Sequence, residues 1–329
     1  MTSASIQKII DIQPIPDADK IEVATVLGWK VVVQKGLHQI GDYIIYVEID
    51  SITPDTKYYE FLRDRNFRVR TIKLRGQISQ GLILSLSVLL SVAAHVEDIT
   101  GDYIKEGQDV SDILGIKHYE KPLSLELSGI AIGQFPGFLH KTDEVMIQSE
   151  LHLLDELWGK PYYITIKIDG MSGTFYKTID GKYGVCSRNL ELKEHENNVF
   201  WKLSHKYSLD TIKPGIYVQG EIAGPGIQKN RMGLSEVELF IFNIKQIEGD
   251  KPLTFTQALN SIKLGYVKMV PLVMSGDSFN MTLDQLILFA RDDIKYENGT
   301  PAEGIVVRSQ DGLISFKVMN NNYLLKNGE

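Results

Sequence analysis

The residue whose position most clearly suggests a chemical role is Lys167, in the segment Lys167-Ile168-Asp169-Gly170. This segment ends a mostly apolar run over 162–168, which predicts a strand. A lysine two residues before an Asp-Gly turn lies at the mouth of that strand, where its amine is exposed yet partly desolvated. Such an amine can lose its proton near neutral pH and attack phosphorus or a carbonyl carbon. An ordinary surface hairpin would also explain these four residues, so the segment alone does not decide between them.

Two later segments each place a charged residue where a nucleotide could bind. Arg188 follows a hairpin turn predicted at Asp180-Gly181 and could hold a phosphate or a ribose. Glu221 ends a predicted strand and precedes the loop Gly224-Pro225-Gly226. Its carboxylate could accept ribose hydroxyl groups or orient a metal-bound water. The alternatives are a surface ion pair for Arg188 and a simple tight turn for the loop.

Two further segments continue the series toward the end of the chain. Leu239-Phe240-Ile241-Phe242 alternates, so both rings share one face of a strand. One ring could stack on a base, worth about 1–3 kcal/mol, or both could be core. Glu303 precedes a predicted strand, and the next strand returns Lys317 to the same side. That lysine could neutralise a triphosphate while the carboxylate holds a divalent cation through water, although each is otherwise an ordinary surface charge.

The segment 63–75 holds six basic residues and one acidic residue. On a strand predicted over 68–74, Arg68 and Arg70 would point to one face and Phe67 and Val69 to the other. A basic strand on a small barrel can grip a phosphate backbone while aromatic side chains stack on bases. The nucleic-acid contacts predicted here are Arg65, Arg68, Arg70, Lys73 and Arg75. The alternative is a solvated edge strand whose charges prevent aggregation.

Composition narrows the class of protein. The chain has 329 residues, 43% of them hydrophobic, and a mean hydropathy of −0.09. A net charge of −7 and a pI near 5.6 argue against indiscriminate coating of nucleic acid. The one cysteine, Cys186, excludes an intramolecular disulfide and a multi-cysteine metal site. It predicts a reducing intracellular compartment, cytoplasmic or nuclear. No segment has the pattern of a signal peptide or a membrane span, so we expect no membrane association.

Strand and helix patterns predict two domains. Short strands separated by glycines predict a small closed barrel of the OB type in the first part. Those strands are predicted at 6–15, 20–27, 29–34, 43–49, 68–74 and 82–86. Helices are predicted at 88–95, 147–157, 198–207, 254–262 and 283–291, with one helical turn inside 105–115. The fold class expected is α+β, with the OB barrel at 1–120 and a second domain of antiparallel sheets flanked by helices at 121–329.

In their order along the chain, the segments resemble the covalent nucleotidyltransferase superfamily of RNA ligases, DNA ligases and mRNA capping enzymes. Lys167-Ile168-Asp169-Gly170 resembles the nucleophile motif of that superfamily. The later motifs are matched by Gln219-Gly220-Glu221, Leu239-Phe240-Ile241-Phe242, Glu303-Gly304-Ile305-Val306-Val307-Arg308 and Ser315-Phe316-Lys317. The loop 220–230 looks like that of nick-sealing RNA ligases. The segments 46–51 and 67–81 resemble the RNA ligases with an N-terminal OB domain, the Naegleria/Deinococcus type.

This resemblance implies an ATP-dependent RNA ligase for RNA repair, which joins a 3′-hydroxyl to a 5′-phosphate through lysyl-AMP and RNA-adenylate. RNA ends are the implied partner, with a nick in duplex RNA as the expected substrate, and no obligate protein partner is evident. Lys167 would be the nucleophile, and Asp169 and Glu303 would bind Mg²⁺ or Mn²⁺ through water. Phe242 would stack on adenine, Arg188 and Glu221 would hold the ribose side, and Lys317 would contact the α-phosphate. The residues expected to bind the nucleotide are Lys167, Gly170, Arg188, Glu221, Phe242, Arg308 and Lys317.

The charge of the nucleophile sets a further expectation. A lysine with an ordinary pKa is only about 0.04% neutral at pH 7. Neighbouring cations must therefore lower the pKa of Lys167, and a divalent metal, Lys317 and Arg308 are the expected sources of that positive field.

Two departures from the resemblance leave alternatives open. Met146 stands where the family usually carries an arginine, and Met319 stands where related nick-sealing ligases carry a second lysine. Each removes a cation near the expected phosphates. One alternative is a DNA ligase or a capping guanylyltransferase on the same fold. The other is a non-catalytic RNA-binding protein with a degenerate transferase domain.

Overall fold

The structure is a computed structural model that describes residues 2–92, 104–120, 130–253 and 267–327. The chain divides into two compact units. The first contains Met1–Lys121, Ile147–Leu151 and Asn321–Glu329, and the second contains Pro122–Met146 and His152–Asn320. The sequence patterns do not mark the two short segments as parts of the first unit.

In its described residues up to 120, the first unit contains nine strands and two short α-helices. The strands are β1 (Ala4–Pro14), β2 (Ile21–Val26), β3 (Trp29–Gln34), β4 (Tyr43–Val47), β5 (Ser51–Ile52), β6 (Ile72–Leu74), β7 (Gln77–Ser79), β8 (Leu82–Leu84) and β9 (Lys117–His118). The helices are α1 (Leu86–Val92) and α2 (Ser111–Leu114). Gly115 ends α2 in the left-handed conformation, with a φ of 66°, as expected for a glycine at this position.

Five of these strands form an almost closed antiparallel barrel in the order β3-β2-β1-β4-β8. The long β1 pairs with β4 through its first half and with β2 through its second half. This one strand therefore connects the two parts of the barrel. The Val32 N–H donates to Ser79 Oγ at 2.9 Å and the Gln80 N–H donates to the Lys30 carbonyl at 2.8 Å. These bonds bring β3 back toward the segment before β8. The predicted OB barrel is confirmed.

The strand predicted over 68–74 is wrong for most of its length. The chain forms a 3₁₀ helix at Glu60–Arg65 and then a left-handed turn at Asn66 and Phe67, with φ angles of 52° and 59°. Only Ile72–Leu74 is a strand, and it forms a hairpin with β7. Arg68 and Val69 are adjacent and both buried, whereas a strand with one exposed face would bury only alternate residues. Tertiary contacts decide this segment, because the Val69 N–H donates to the Ser51 carbonyl at 2.8 Å.

The second unit contains eleven strands in two sheets among its described residues. The larger sheet has the order β10-β14-β13-β12-β15-β16-β17 and the smaller has the order β18-β11-β19-β20. These strands are β10 (Ala131–Gln134), β11 (Tyr162–Lys167), β12 (Met171–Lys177), β13 (Tyr183–Cys186), β14 (Leu190–Leu192), β15 (Ile216–Ala223), β16 (Glu238–Gln246), β17 (Lys268–Met269), β18 (Leu272–Gly276), β19 (Gly304–Ser309) and β20 (Ser315–Met319). Every pairing is antiparallel except that of β16 with β17.

The segment Lys167-Ile168-Asp169-Gly170 is the crossing from one sheet to the other. The strand before it, β11, pairs with β18 and β19, whereas the strand after it, β12, pairs with β13 and β15. The two strands that flank the Asp-Gly turn therefore do not pair with each other. The surface-hairpin alternative is excluded, and the lysine lies where the two sheets meet.

Four described helices follow α2 along the chain. They are α3 (His152–Leu157), α4 (Val199–Lys206), α5 (Leu283–Asp292) and α6 (Asn321–Asn327). The Asn198 side chain accepts from the N–H groups of Phe200 and Trp201 at the start of α4, and Thr282 and Gln285 form a capping box at the start of α5. The helix predicted over 147–157 begins only at His152. The helix predicted at 254–262 lies outside the described residues.

The core of the second unit lies between its larger sheet and α4. Phe200 and Leu203 of the helix pack with Phe175, Val185 and Val218 of the sheet, all of them buried. Among the helices that the structure describes, none is long and apolar enough to cross a membrane.

Candidate active site

A cleft in the second unit is lined by residues of both sheets. It encloses about 410 Å³, counted with its opening to solvent. Its walls are Thr142, Glu144, Thr165, Ile166, Lys167, Ile168, Glu221, Phe242, Val270, Val306 and Arg308. Four of the predicted site residues, Lys167, Glu221, Phe242 and Arg308, thus share one cavity.

Lys167 and Glu303 form an ion pair at the edge of this cleft. Lys167 is the last residue of β11, and its register partner on β19 is Gly304. The pairing brings Lys167 Nζ within 2.8 Å of Glu303 Oε1, with 26% of the lysine side chain and 10% of the glutamate side chain exposed. Burial alone would lower the pKa of Lys167, but the carboxylates of Glu303 and Glu221 outweigh burial and raise it. In the protein by itself, the pKa of Lys167 is therefore raised, whereas the lowering expected from a bound divalent metal stays a prediction.

Lys317 carries the lowered pKa that was expected of Lys167. It lies on β20, opposite Val306 of β19, and its backbone N–H donates to the Val145 carbonyl at 2.8 Å. Burial and the charge of Lys167 lower the pKa of the Lys317 amine. The two predicted lysines are therefore close enough for their charges to interact, and Lys167 is the one that the surrounding carboxylates keep protonated.

Glu221 is brought to the nucleophile segment by a close backbone approach. A Cβ at Gly170 would lie 2.3 Å from the Ile222 carbonyl oxygen and 2.9 Å from Glu221 Cγ. Only glycine therefore permits this packing of the crossing segment on β15. Burial, with Glu303 and Asp169 nearby, raises the pKa of Glu221 to about 8. Three acidic groups thus converge near Lys167.

Phe242 reaches the cleft because β16 carries a bulge. In the pairing with β15, Gln219 faces Asn243 and Gly220 faces Ile241, so Phe242 is the extra residue between them. Bulges of this kind redirect a side chain and are common beside active sites. Phe242 lines the cleft, while Phe240 is buried in a core cluster with Ile168. Of the two rings, Phe242 is the one that lines the cleft.

The two predicted arginines are held by acidic residues of one segment, 141–146. The Arg308 guanidinium is buried, donates to Glu144 Oε1 at 2.8 Å and lies 6.0 Å from the Phe242 ring centre. Arg188 pairs with Asp143 at 2.9 Å while about half of its side chain is exposed. The ion-pair alternative therefore describes Arg188 correctly, although its partner belongs to the segment that borders the cleft.

The carboxylates fit a hydrated divalent cation. Within the described ranges, no set of three or more His, Cys, Asp or Glu side chains is arranged to hold a metal ion directly. Carboxylate oxygens are nevertheless the ligands that Mg²⁺ prefers, and Mg²⁺ usually retains several water ligands. The acidic groups of Asp169 and Glu303 both act on Glu221, so added positive charge would stabilise this cluster. The donor set agrees with binding through water.

The five basic residues of the first unit that are predicted to contact nucleic acid occupy different environments. Lys73 and Arg75 are exposed on the β6–β7 hairpin, and Arg65 is exposed at the end of a 3₁₀ helix. Arg70 is half-buried. Arg68 is buried, pairs with Asp50 at 2.5 Å and lies 3.8 Å from the Tyr119 ring centre. The guanidinium of Arg68 is thus already engaged within the barrel.

Comparison with known proteins identifies the family. One family model, described as an OB-fold domain, matches residues 3–86, and another, described as RNA ligase, matches residues 160–323. The solved Naegleria gruberi RNA ligase with pyrophosphate is 34% identical, with 98% of each chain covered and a TM-score of 0.86. Two mutants of that enzyme, one with AMP and manganese and one with ATP and manganese, are 33% identical with the same coverage and TM-score.

This chain belongs to the RNA ligase family. The resemblance inferred from the motifs is confirmed, in both its OB part and its ligase part. A comparison with curated proteins yields no match.

Sequence reasoning missed several residues of the site. Thr142, Asp143 and Glu144 border the cleft or hold its arginines, and Thr142 Oγ1 lies 2.6 Å from Ser172 Oγ. A signal was available, because these three polar residues are consecutive within the segment that carries Met146. Tyr296, which bonds to the backbone of Lys167, has no local motif that could have marked it.

Gly170→Ala should destabilise the second unit and misplace Glu221. The added methyl group cannot fit against the Ile222 carbonyl, and overpacking of this kind costs about 1–3 kcal/mol. Denaturant unfolding would measure the decrease in the free energy of unfolding. Gly137→Ala is the matched control, since a Cβ there meets no atom within 4 Å. Equal stability of both variants would contradict the close approach.

Proposed function

We propose that this chain is an ATP-dependent RNA ligase that seals 3′-hydroxyl and 5′-phosphate ends, chiefly nicks in duplex RNA. The observation that carries the proposal is the cleft that joins Lys167, paired with Glu303 at 2.8 Å, to Glu221 and Phe242. The related Naegleria structures hold ATP, AMP or pyrophosphate. Those are the substrate, the transferred group and the product of a first step in which a lysine takes AMP.

The cleft offers separate places for the parts of ATP. Phe242 provides a ring on which adenine stacks, and the Arg308 guanidinium steadies that ring from 6.0 Å. Glu221 and Arg188 take the ribose side, with Glu221 accepting hydroxyl groups. Lys317, whose pKa is lowered by burial and by Lys167, meets the α-phosphate, where the negative charge of the phosphate restores the stability of the ammonium form.

The first step forms a bond between Lys167 Nζ and the α-phosphorus. The bond from that phosphorus to the bridging oxygen breaks, and pyrophosphate leaves with the electron pair. Nζ must give up two of the three protons of its ammonium form, one before the attack and one after it, to become the nitrogen of lysyl-AMP. Because Glu303 and Glu221 hold the lysine as an ammonium, removal of the first proton is the task that the loaded site must accomplish.

A divalent cation is expected to bind through water at Asp169 and Glu303. When bound there, it supplies positive charge that shields the triphosphate and favours the neutral form of a nearby amine. The residues themselves act by position: Asp169 and Glu303 would hold the hydrated cation, and Lys317 would lie near the reacting phosphate.

The later steps transfer AMP and then release it. An oxygen of the RNA 5′-phosphate attacks the phosphorus of lysyl-AMP, the bond to Nζ breaks, and Lys167 takes a proton. The 3′-hydroxyl oxygen next attacks the activated 5′-phosphorus, loses its proton, and expels AMP. The absence of a basic side chain at Met146 and Met319 leaves Lys317 and Arg188 as the cations expected to meet these phosphates.

Purified protein should become labelled by ATP that carries a radioactive α-phosphorus, and Lys167→Ala should abolish the label, because no other group replaces the nucleophile. Lys182→Ala is the control, as its amine lies on a surface hairpin 3.9 Å from Glu191. EDTA should remove labelling, and Mg²⁺ or Mn²⁺ should restore it. A wild-type protein that is not labelled with either metal would refute the proposal.

Sealing should favour a nick in duplex RNA over other ends. A gel assay would compare a nicked RNA duplex, a nicked DNA duplex and unpaired RNA strands, each with a 5′-phosphate and a 3′-hydroxyl. Equal sealing of the DNA nick would support a DNA ligase instead. Labelling by GTP in preference to ATP would support a capping enzyme, and RNA binding without labelling would support a non-catalytic protein.

Lys73→Ala with Arg75→Ala should weaken RNA binding and sealing without changing the labelling of Lys167. Both side chains project from the β6–β7 hairpin. Removal of each cation that binds a phosphate should reduce the salt slope of RNA binding by about 1, measured by titration at several salt concentrations. Lys20→Ala with Lys35→Ala removes the same charge from two other exposed lysines of the barrel. Equal weakening by both pairs would show that only net charge matters.

A further inference from the structure

The hydroxyl of Tyr296 contacts the backbone of three residues on which the chemistry depends. Its O–H donates to the Lys167 carbonyl at 3.2 Å. Its oxygen accepts from the Asp169 N–H at 3.1 Å and from the Glu303 N–H at 3.4 Å. A phenol can donate one hydrogen bond and accept two, so these three contacts use its full capacity.

We propose that Tyr296 is the positioning residue that holds the nucleophile Lys167 and the carboxylates of Asp169 and Glu303 in one arrangement. This inference rests on the proposed function, because it assigns Tyr296 to the first step of that reaction. Tyr296 itself does not touch the nucleotide in this assignment. It acts through the backbone of the residues that do.

The hydroxyl stands where the strand pairing stops. The ladder between β11 and β19 ends at Lys167 and Gly304, so Asp169 and Glu303 lie beyond its last pair. Their N–H groups lie outside that ladder and donate to the Tyr296 oxygen. One phenol oxygen satisfies both, and it thereby ties the sheet-crossing segment to the start of β19.

Tyr296 is itself held firmly enough to serve this purpose. It is 3% exposed, and it belongs to a tight loop in which its N–H donates to the Thr300 carbonyl at 2.9 Å and the Gly299 N–H donates back to its carbonyl at 2.9 Å. The Ala302 N–H donates to the Ile294 carbonyl at 3.1 Å across the same loop. Burial raises the pKa of Tyr296 to about 12, so the hydroxyl keeps its proton at neutral pH.

Removal of the hydroxyl should change the rate of lysyl-AMP formation and leave ATP binding unchanged. Tyr296→Phe retains the ring, so the core is filled, but the three hydrogen bonds that join the hydroxyl to Lys167, Asp169 and Glu303 are lost. The side chain of Phe242, which is assigned to adenine, has no polar group that could bond to Tyr296. The stacking of adenine should therefore persist in the variant. Small misplacement of reacting groups can cost up to about a hundredfold in rate, and we expect a fall of about tenfold to a hundredfold in the rate constant.

Single-turnover labelling of the full chain by ATP with Mg²⁺ or Mn²⁺ tests this. The amplitude of the label reports the folded, competent fraction, whereas the rate constant reports the geometry of that fraction. The ATP concentration that gives half the maximal rate, with binding of ATP measured separately by equilibrium dialysis, reports the nucleotide site. Tyr183→Phe is the matched control. Tyr183 lies on β13 of the larger sheet, which does not pair with β11, and its hydroxyl lies 2.6 Å from Ser204 Oγ.

A lowered rate constant for Tyr296→Phe, with unchanged ATP binding and with Tyr183→Phe like the wild type, is the expected result. A rate constant equal to that of the wild type overturns the inference. An equal fall in both variants also overturns it, because that would reflect packing alone. Loss of ATP binding together with labelling overturns it as well, since a positioning role leaves the nucleotide site intact. An unlabelled wild-type protein would instead refute the proposed function itself.

Discussion

The ion pair between Lys167 and Glu303 is the interaction on which the site depends. It follows from the register of two neighbouring strands, because Lys167 faces Gly304 and the preceding residue supplies the carboxylate. A lysine charge left alone in this half-buried place would be expensive, and removal of one partner of a buried pair typically costs about 3–5 kcal/mol. Each charge therefore offsets the burial of the other, and the pair keeps the predicted nucleophile Lys167 protonated in the protein by itself.

The electrostatic balance keeps Lys167 protonated in the protein by itself. Without ligands, the carboxylates of Glu303 and Glu221 outweigh the burial of Lys167 and raise the pKa of its amine. For Lys317, burial and the charge of Lys167 outweigh the nearby carboxylates, so the pKa of this second amine is lowered. The same set of groups thus keeps the Lys167 amine protonated and leaves Lys317 as a less stable cation, which an incoming phosphate would stabilise.

Backbone irregularities adapt ordinary strands to this site. The bulge at Phe242 turns a single ring toward the cleft while Phe240 remains in the core. The sheet crossing after Lys167 depends on Gly170, where a side chain would collide with the Ile222 carbonyl. In the first unit, the guanidinium of Arg68 pairs with Asp50 and packs on the Tyr119 ring. The alternation of side chains along a strand therefore could not predict which basic residues remain available to RNA.

The sequence by itself determined which residues could react and in what order they occur, because strand ends, turns and glycines are local signals. It also predicted the barrel and the antiparallel sheets, whose strands have clear patterns. Only the tertiary structure decided that the Lys-x-Asp-Gly turn joins two sheets, that Phe242 is a bulge residue, and that Glu144 holds Arg308. Tyr296 shows the physical reason: it bonds to the carbonyl of a residue 129 positions away, and no local pattern encodes a contact of that range.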